Sequence, residues 1–162
     1  MSSTPSTVIP DTHILRALLI SFRGGKLLVP NSAVVQALPF ATPLKIEHAP
    51  NWILGAMLWR ARTIPLVSFG HLLNPKLSPH EQHARIVVLN TLNQKPKLPN
   101  FGLLSTEAPQ SLNLSRMSVI DAGPQTSVNV PGVARWVKVN GEDAIIPDLD
   151  ALENILISLM RA

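Results

Sequence analysis

At 162 residues the chain is one domain's worth, long enough to bury a sizeable core. Its 46% hydrophobic and 15% charged residues exclude a disordered chain, and fifteen prolines favour short strands over long helices. The +4 net charge is scattered without stacking aromatics, which argues against a nucleic-acid binder, and the absence of cysteine removes disulfide and thiolate chemistry.

Residues 1–13 open with MSSTPSTVIPDTH, polar and proline-bearing, and read as a flexible tail without the basic-then-apolar order of a secretory signal. The apolar runs are too short to span a membrane, so a cytoplasmic protein is expected. Residues 14–162 then form one domain. Leu18 to Arg23 and Lys26 to Val29 flank Gly24-Gly25, a two-residue loop suited to a type I′ or II′ hairpin turn. Pro30 ends the strand, and Asn31 or Ser32 could cap a short helical turn carrying Val34, Val35 and Leu38.

Pro39 to Asn51 reads as loop and short strand, with prolines at 39, 43 and 50. Pro50 to Phe69 is read as two half-buried strands joined by a tight corner, with Leu58, Ile64, Leu66 and Phe69 inward. Gly55 in its apolar run marks a bulge or the close approach of another backbone. Arg60 stands among apolar residues, where a guanidinium either snorkels from an edge or meets a carboxylate.

Asn74 to His83 is a polar loop whose His80 and His83 lack further ligands at metal spacing, so no metal is expected. Arg85 to Thr91 and Phe101 to Leu104 read as strands, and between Ala108 and Pro131 the inward residues are read as Leu112, Leu114, Met117, Val119 and Ile120. Trp136 to Val139 and Glu142 to Ile146 flank Asn140-Gly141, a strong hairpin signal. Asp148 is placed to cap a final helix over about 148–161, with Leu149, Leu152, Ile155, Leu156 and Leu159 on one stripe. The carboxylate pairs Glu142-Asp143 and Asp148-x-Asp150 have structural roles, no nucleophile elbow or phosphate loop is present, and neither catalysis nor a cofactor is expected.

The spacing of Gly55, Arg60 and Pro65, followed by Leu-Val-x-Phe, resembles the Gly-x-x-x-Leu-Arg-Gly-x-x-x-Pro-Val-Asp-Leu signature of CheW-like chemotaxis coupling domains. LLISFRGGKLLVPNSAVVQAL at 18–38 is similar to that family's opening hairpin. RIVVLN at 85–90, FGLLST at 101–106 and GVARWVKVNGEDAIIPDLDALE at 132–153 are similar to its later strands, closing hairpin and helix. Ala61 stands where the family usually has Gly, Trp59 where it has Leu, and Ser68 where it has Asp; Ser105-Thr106 replaces the common Val-Asp. The Pro-x-Trp ahead of the glycine resembles divergent members of the ChpC and PilI type from pilus or twitching-motility systems.

The resemblance implies an all-β domain with a C-terminal helix, built as two small SH3-like five-stranded barrels. It implies a non-catalytic adaptor of a two-component system, linking the cytoplasmic tip of a chemoreceptor to the regulatory domain of a CheA-type histidine kinase at membrane-bound receptor arrays. Arg60 would anchor a partner, Gly55 and Pro65 would shape the strands presenting it, and Val35, Trp59 and Gly102 would be further surface positions. The alternatives are an array adaptor without kinase contact, or a small β-barrel enzyme or nucleic-acid-binding module.

Overall fold

Tight turns set the strand frame. The computed structural model describes residues 15–77, 84–91, 98–115, 119–123 and 132–160. Strands β1 (Leu15–Phe22) and β2 (Gly25–Pro30) pair with Phe22 opposite Gly25, so the loop is Arg23-Gly24, one residue earlier than the glycine pair suggests. Only Gly24 has a left-handed φ, +106°, which fits neither a type I′ nor a type II′ turn. Gly25 meets a different need: a Cβ there would lie 2.9 Å from Cζ of Phe22. That ring also packs on Phe69, with centroids 5.4 Å apart. The closing hairpin, β10 (Val133–Val139) and β11 (Glu142–Pro147), matches its expectation. Asn140 and Gly141 take φ of 51° and 86°, the two positive values of a type I′ turn.

After β2 comes a 3₁₀ turn, Asn31–Ala33, with no side-chain cap; Val34, Val35 and Leu38 lie instead on β3 (Val34–Pro39). Two adjacent β-branched valines favour extended backbone over a helical turn. The chain continues through β4 (Ile53–Trp59), β5 (Arg62–Val67) and the short helix α1 (Phe69–Leu73). Then follow β6 (Arg85–Asn90), β7 (Asn100–Ser105), β8 (Gln110–Leu114) and β9 (Val119–Asp121), and after β11 the helix α2 (Leu149–Met160). Ser68 caps α1: its hydroxyl accepts from the His71 backbone N–H at 3.3 Å and lies 2.6 Å from His71 Nδ1, and both side chains are buried. Asp148 caps α2, accepting from Ala151 N–H at 3.0 Å.

The strands form two sheets in the orders β8-β1-β2-β11-β10-β9 and β3-β6-β7-β5-β4. This is the predominantly β, two-barrel architecture expected, with six strands in the first sheet and five in the second. Each sheet contains one parallel pairing: Ile145 with Leu27 joins the two terminal hairpins, and Leu66 with Gly102 and Val67 with Leu103 join β5 to β7.

Strand alternation gives each sheet two apolar faces, and three cores result. Ala17, Leu19, Leu28, Leu114, Val137, Val139 and Ala144 fill the first barrel. Trp59, Ile64, Leu66, Ile86 and Val88 fill the second. Between the sheets a third core joins Ile20, Phe22 and Val29 of the first to Val67, Val87 and Phe101 of the second, with Leu149, Leu152 and Leu156 of α2 packed into it. The helix therefore serves both barrels. Of the inward residues expected after Ala108, Leu114 is buried and Leu112 and Val119 half-buried, whereas Ile120 is exposed on the three-residue strand β9. Met117, His80, His83 and the N-terminal tail lie outside the described residues.

Candidate partner-binding site

The signature residues lie on one hairpin. In β4 and β5, Trp59 faces Arg62, Leu58 faces Thr63, Met57 faces Ile64 and Ala56 faces Pro65. This register leaves Arg60 and Ala61 as the two central turn residues, with φ of 49° and 62°. Arg60 is therefore not a strand residue. It occupies the first central position of a type I′ geometry that normally selects Asn or Gly, and Ala61 occupies the second.

The same register corrects the inward assignment. Leu58 shares a face with exposed Thr63 and is 74% exposed, while its neighbour Trp59 points into the second barrel and is 8% exposed. Trp59 donates its indole N–H to Gln36 Oε1 of β3 at 3.2 Å, which ties the two edge strands of the second sheet together. The guanidinium carbon of Arg60 lies 4.5 Å from the centre of the Trp59 ring. Such a contact holds a cation by the ring quadrupole while leaving the guanidinium N–H groups free to meet an acceptor.

Gly55 combines both readings made of it. A register shift between Ile53 and Gly55 marks a bulge, and its φ is +148°. A Cβ there would lie 2.2 Å from the carbonyl oxygen of Leu44. That oxygen accepts from Ala56 N–H at 2.7 Å, and Leu44 N–H donates back to Ala56 at 2.8 Å, so the 40s loop is fastened to the outer edge of β4. Pro65 is buried in β5, one residue before the β5–β7 ladder begins at Leu66, where its missing N–H breaks no ladder bond.

Gly102 is not a surface position. It is buried in β7, and a Cβ on it would come within 3.0 Å of Ile86 and 3.2 Å of Leu66. Val35 is half-buried against the core of the second barrel. Arg60 and Trp59 thus sit together, Gly55 and Pro65 shape the strands beneath them, and Gly102 and Val35 act from inside. Gln36 and the 80% exposed Leu44 were missed by sequence reasoning. The Gln36 contact has no local signal, and Leu44 reads as an ordinary loop residue.

Two barrel-type sheets sharing a central core and one closing helix define a double SH3-like β domain. The chain belongs to the family of CheW-like domains, whose model matches residues 16–155. Its structure is similar to that of the scaffolding protein TtCheW from Thermoanaerobacter tengcongensis, with a TM-score of 0.69 over 85% of this chain and 90% of that one, at 17% sequence identity. No curated protein is significantly similar to it in sequence. Among the described residues no helix is long and apolar enough to cross a membrane.

Proposed function

We propose that this protein is a non-catalytic coupling adaptor that joins a chemoreceptor's cytoplasmic tip to the regulatory domain of a CheA-type histidine kinase, in a pathway controlling type IV pili. Family membership supports the adaptor role, as does the scaffolding role that the structural relative's name carries. The observation that carries the site is the Arg60 guanidinium held over Trp59 on a projecting hairpin, a side chain both exposed and oriented before any partner arrives. The Pro-x-Trp sequence at 50–52, shared with divergent family members, supports the pilus assignment over a flagellar one.

In this reading residues 14–162 act as one unit docked on receptor arrays at the cytoplasmic face of the membrane. Arg60 makes the anchoring contact, Trp59 is its platform, Gly55 and Pro65 hold the hairpin in register, and Val35 and Gly102 keep the second barrel in the shape that presents it. The test is calorimetric titration of the protein into the regulatory domain of the CheA-type kinase of the same cell, repeated with Arg60→Glu. Micromolar-range binding by the wild type and its loss in the variant is the expected result. No binding by the folded wild type would remove the kinase link.

A further inference from the structure

Among the described residues strand β4 lies at the edge of the second sheet, and only Leu44 bonds to its outer side. Leu44 bonds to both backbone groups of Ala56, so those groups point away from β5. Antiparallel alternation then turns the N–H and C=O of Leu58, two residues on, toward the same open side. Among the described residues β4 pairs in the sheet with β5 alone, and the bridge from Leu44 covers only Ala56. An edge of this kind is a template for another strand.

The side chains beside it match. Leu44 stands opposite Ala56 and Leu58 two residues further, so both project from one face, where they are 80% and 74% exposed. Two large aliphatic side chains this open on one face constitute a patch rather than scattered exposure. Cations flank the same edge, Arg60 and Arg62 on the Trp59 side of the hairpin, the side an alternating partner strand would also present residues to. From Phe40 to Pro65 the chain carries Lys45, Arg60 and Arg62 against one acid, Glu47. Among the described residues none of the three cations is in a salt bridge.

We infer that this edge receives an extended, acidic segment of a partner protein, which pairs with the Leu58 backbone, sets an apolar side chain between Leu44 and Leu58, and offers carboxylates to Lys45, Arg60 and Arg62. The inference rests on the adaptor reading and names the chemistry of the contact at the same hairpin. A second copy of this chain does not fit: antiparallel pairing centred on Leu58 would set residue 60 of each copy opposite Ala56 of the other, where Leu44 already sits. It would also bring like charges together. A short acidic segment that leaves the edge before Ala56 has neither problem, and main-chain bonds at Leu58 would supply affinity while the flanking side chains and charges supply selectivity.

The test uses the full-length protein with two probes from the same cell, the kinase regulatory domain and the receptor's cytoplasmic tip. Amide exchange at Leu58 is followed with each, and affinities are measured for Leu58→Asp, Leu58→Pro and Arg62→Glu across a salt series. The expected result is that one probe slows exchange at Leu58, that each variant weakens that probe by about tenfold, and that its affinity falls as salt rises. Should Leu58→Pro disturb folding, Leu58→Asp and Arg62→Glu carry the test. Binding of both probes with Leu58 exchange and variant affinities unchanged would overturn the inference and leave the adaptor reading standing. Failure of both probes to bind the wild type would overturn the two together. Binding instead to phosphatidylglycerol vesicles or to a single-stranded oligonucleotide, lost in the same variants, would overturn it in favour of a membrane or nucleic-acid surface.

Discussion

The guanidinium of Arg60 lies over the indole of the residue before it, Trp59, 4.5 Å from the ring centre, at a turn in which both central residues have left-handed backbone. The side chain that projects from this hairpin is held by its own neighbour, and the backbone conformation that directs it there is costly for residues with a Cβ.

Replacing Ala61 by glycine therefore stabilises the protein. Alanine at φ of 62° pays a steric penalty of about 1 kcal/mol that glycine avoids, partly offset by glycine's greater freedom in the unfolded chain. A rise of roughly 1–3 °C in the thermal midpoint is expected for a chain of this size. An unchanged or lowered midpoint would show that the turn carries no such strain.

Gly55→Ala acts in the opposite direction and more strongly. Its Cβ would sit 2.2 Å from the Leu44 carbonyl oxygen, so either the bulge or the Leu44–Ala56 bridge must give way. Urea unfolding should show a loss of about 2 kcal/mol or more. Amide exchange at Leu44 and Ala56 should speed up beyond the global effect. Protected amides in a fully stable variant would contradict the close approach.

At Gly102 the obstruction is side chains, which move more easily than backbone. Gly102→Ala should cost about 1 kcal/mol and Gly102→Val about 2–3 kcal/mol, as Ile86 and Leu66 are pushed from a filled barrel. Equal stability of all three proteins would mean that the second barrel has room the packing does not show.

Trp59→Phe keeps an aromatic body in the barrel but removes the indole N–H together with the pyrrole part of the ring, so a packing loss is added to the lost hydrogen bond and only a cycle separates the two. The loss of the bond to Gln36 should cost about 1 kcal/mol, and in a double-mutant cycle with Gln36→Leu most of that cost should be shared. Strictly additive effects would show that the two edge strands are not coupled through this bond.

How much of this was legible in the sequence depended on whether the cause was local. Asn140-Gly141 announced its turn because few other residues accept two positive φ values. Gly55 announced a close approach, although nothing in the sequence names Leu44 as the neighbour. Arg60 misled, because a turn built from Arg-Ala carries none of the usual turn residues. The sequence places a corner in this stretch without fixing it at Arg60-Ala61, so the strand faces on either side of it stay open, and the structure turns Leu58 outward and Trp59 inward. Gly25 misled in a smaller way: its lack of a Cβ serves the Phe22 ring, so the hairpin loop moved back one residue. The pairing of site residues across strands, Trp59 with Gln36 and Ala56 with Leu44, comes from tertiary register that no local pattern encodes.

The single parallel register pair between Ile145 and Leu27 sets an order of events during synthesis. The first sheet takes β1 and β2 from one end of the chain and β10 and β11 from the other, whereas every strand of the second sheet has been made by Ser105. A chain still growing on the ribosome can complete its second barrel while β2 waits with an open edge for a strand more than a hundred residues later. Every strand of the Arg60 hairpin's sheet is thus available well before the sheet that holds both terminal hairpins can close.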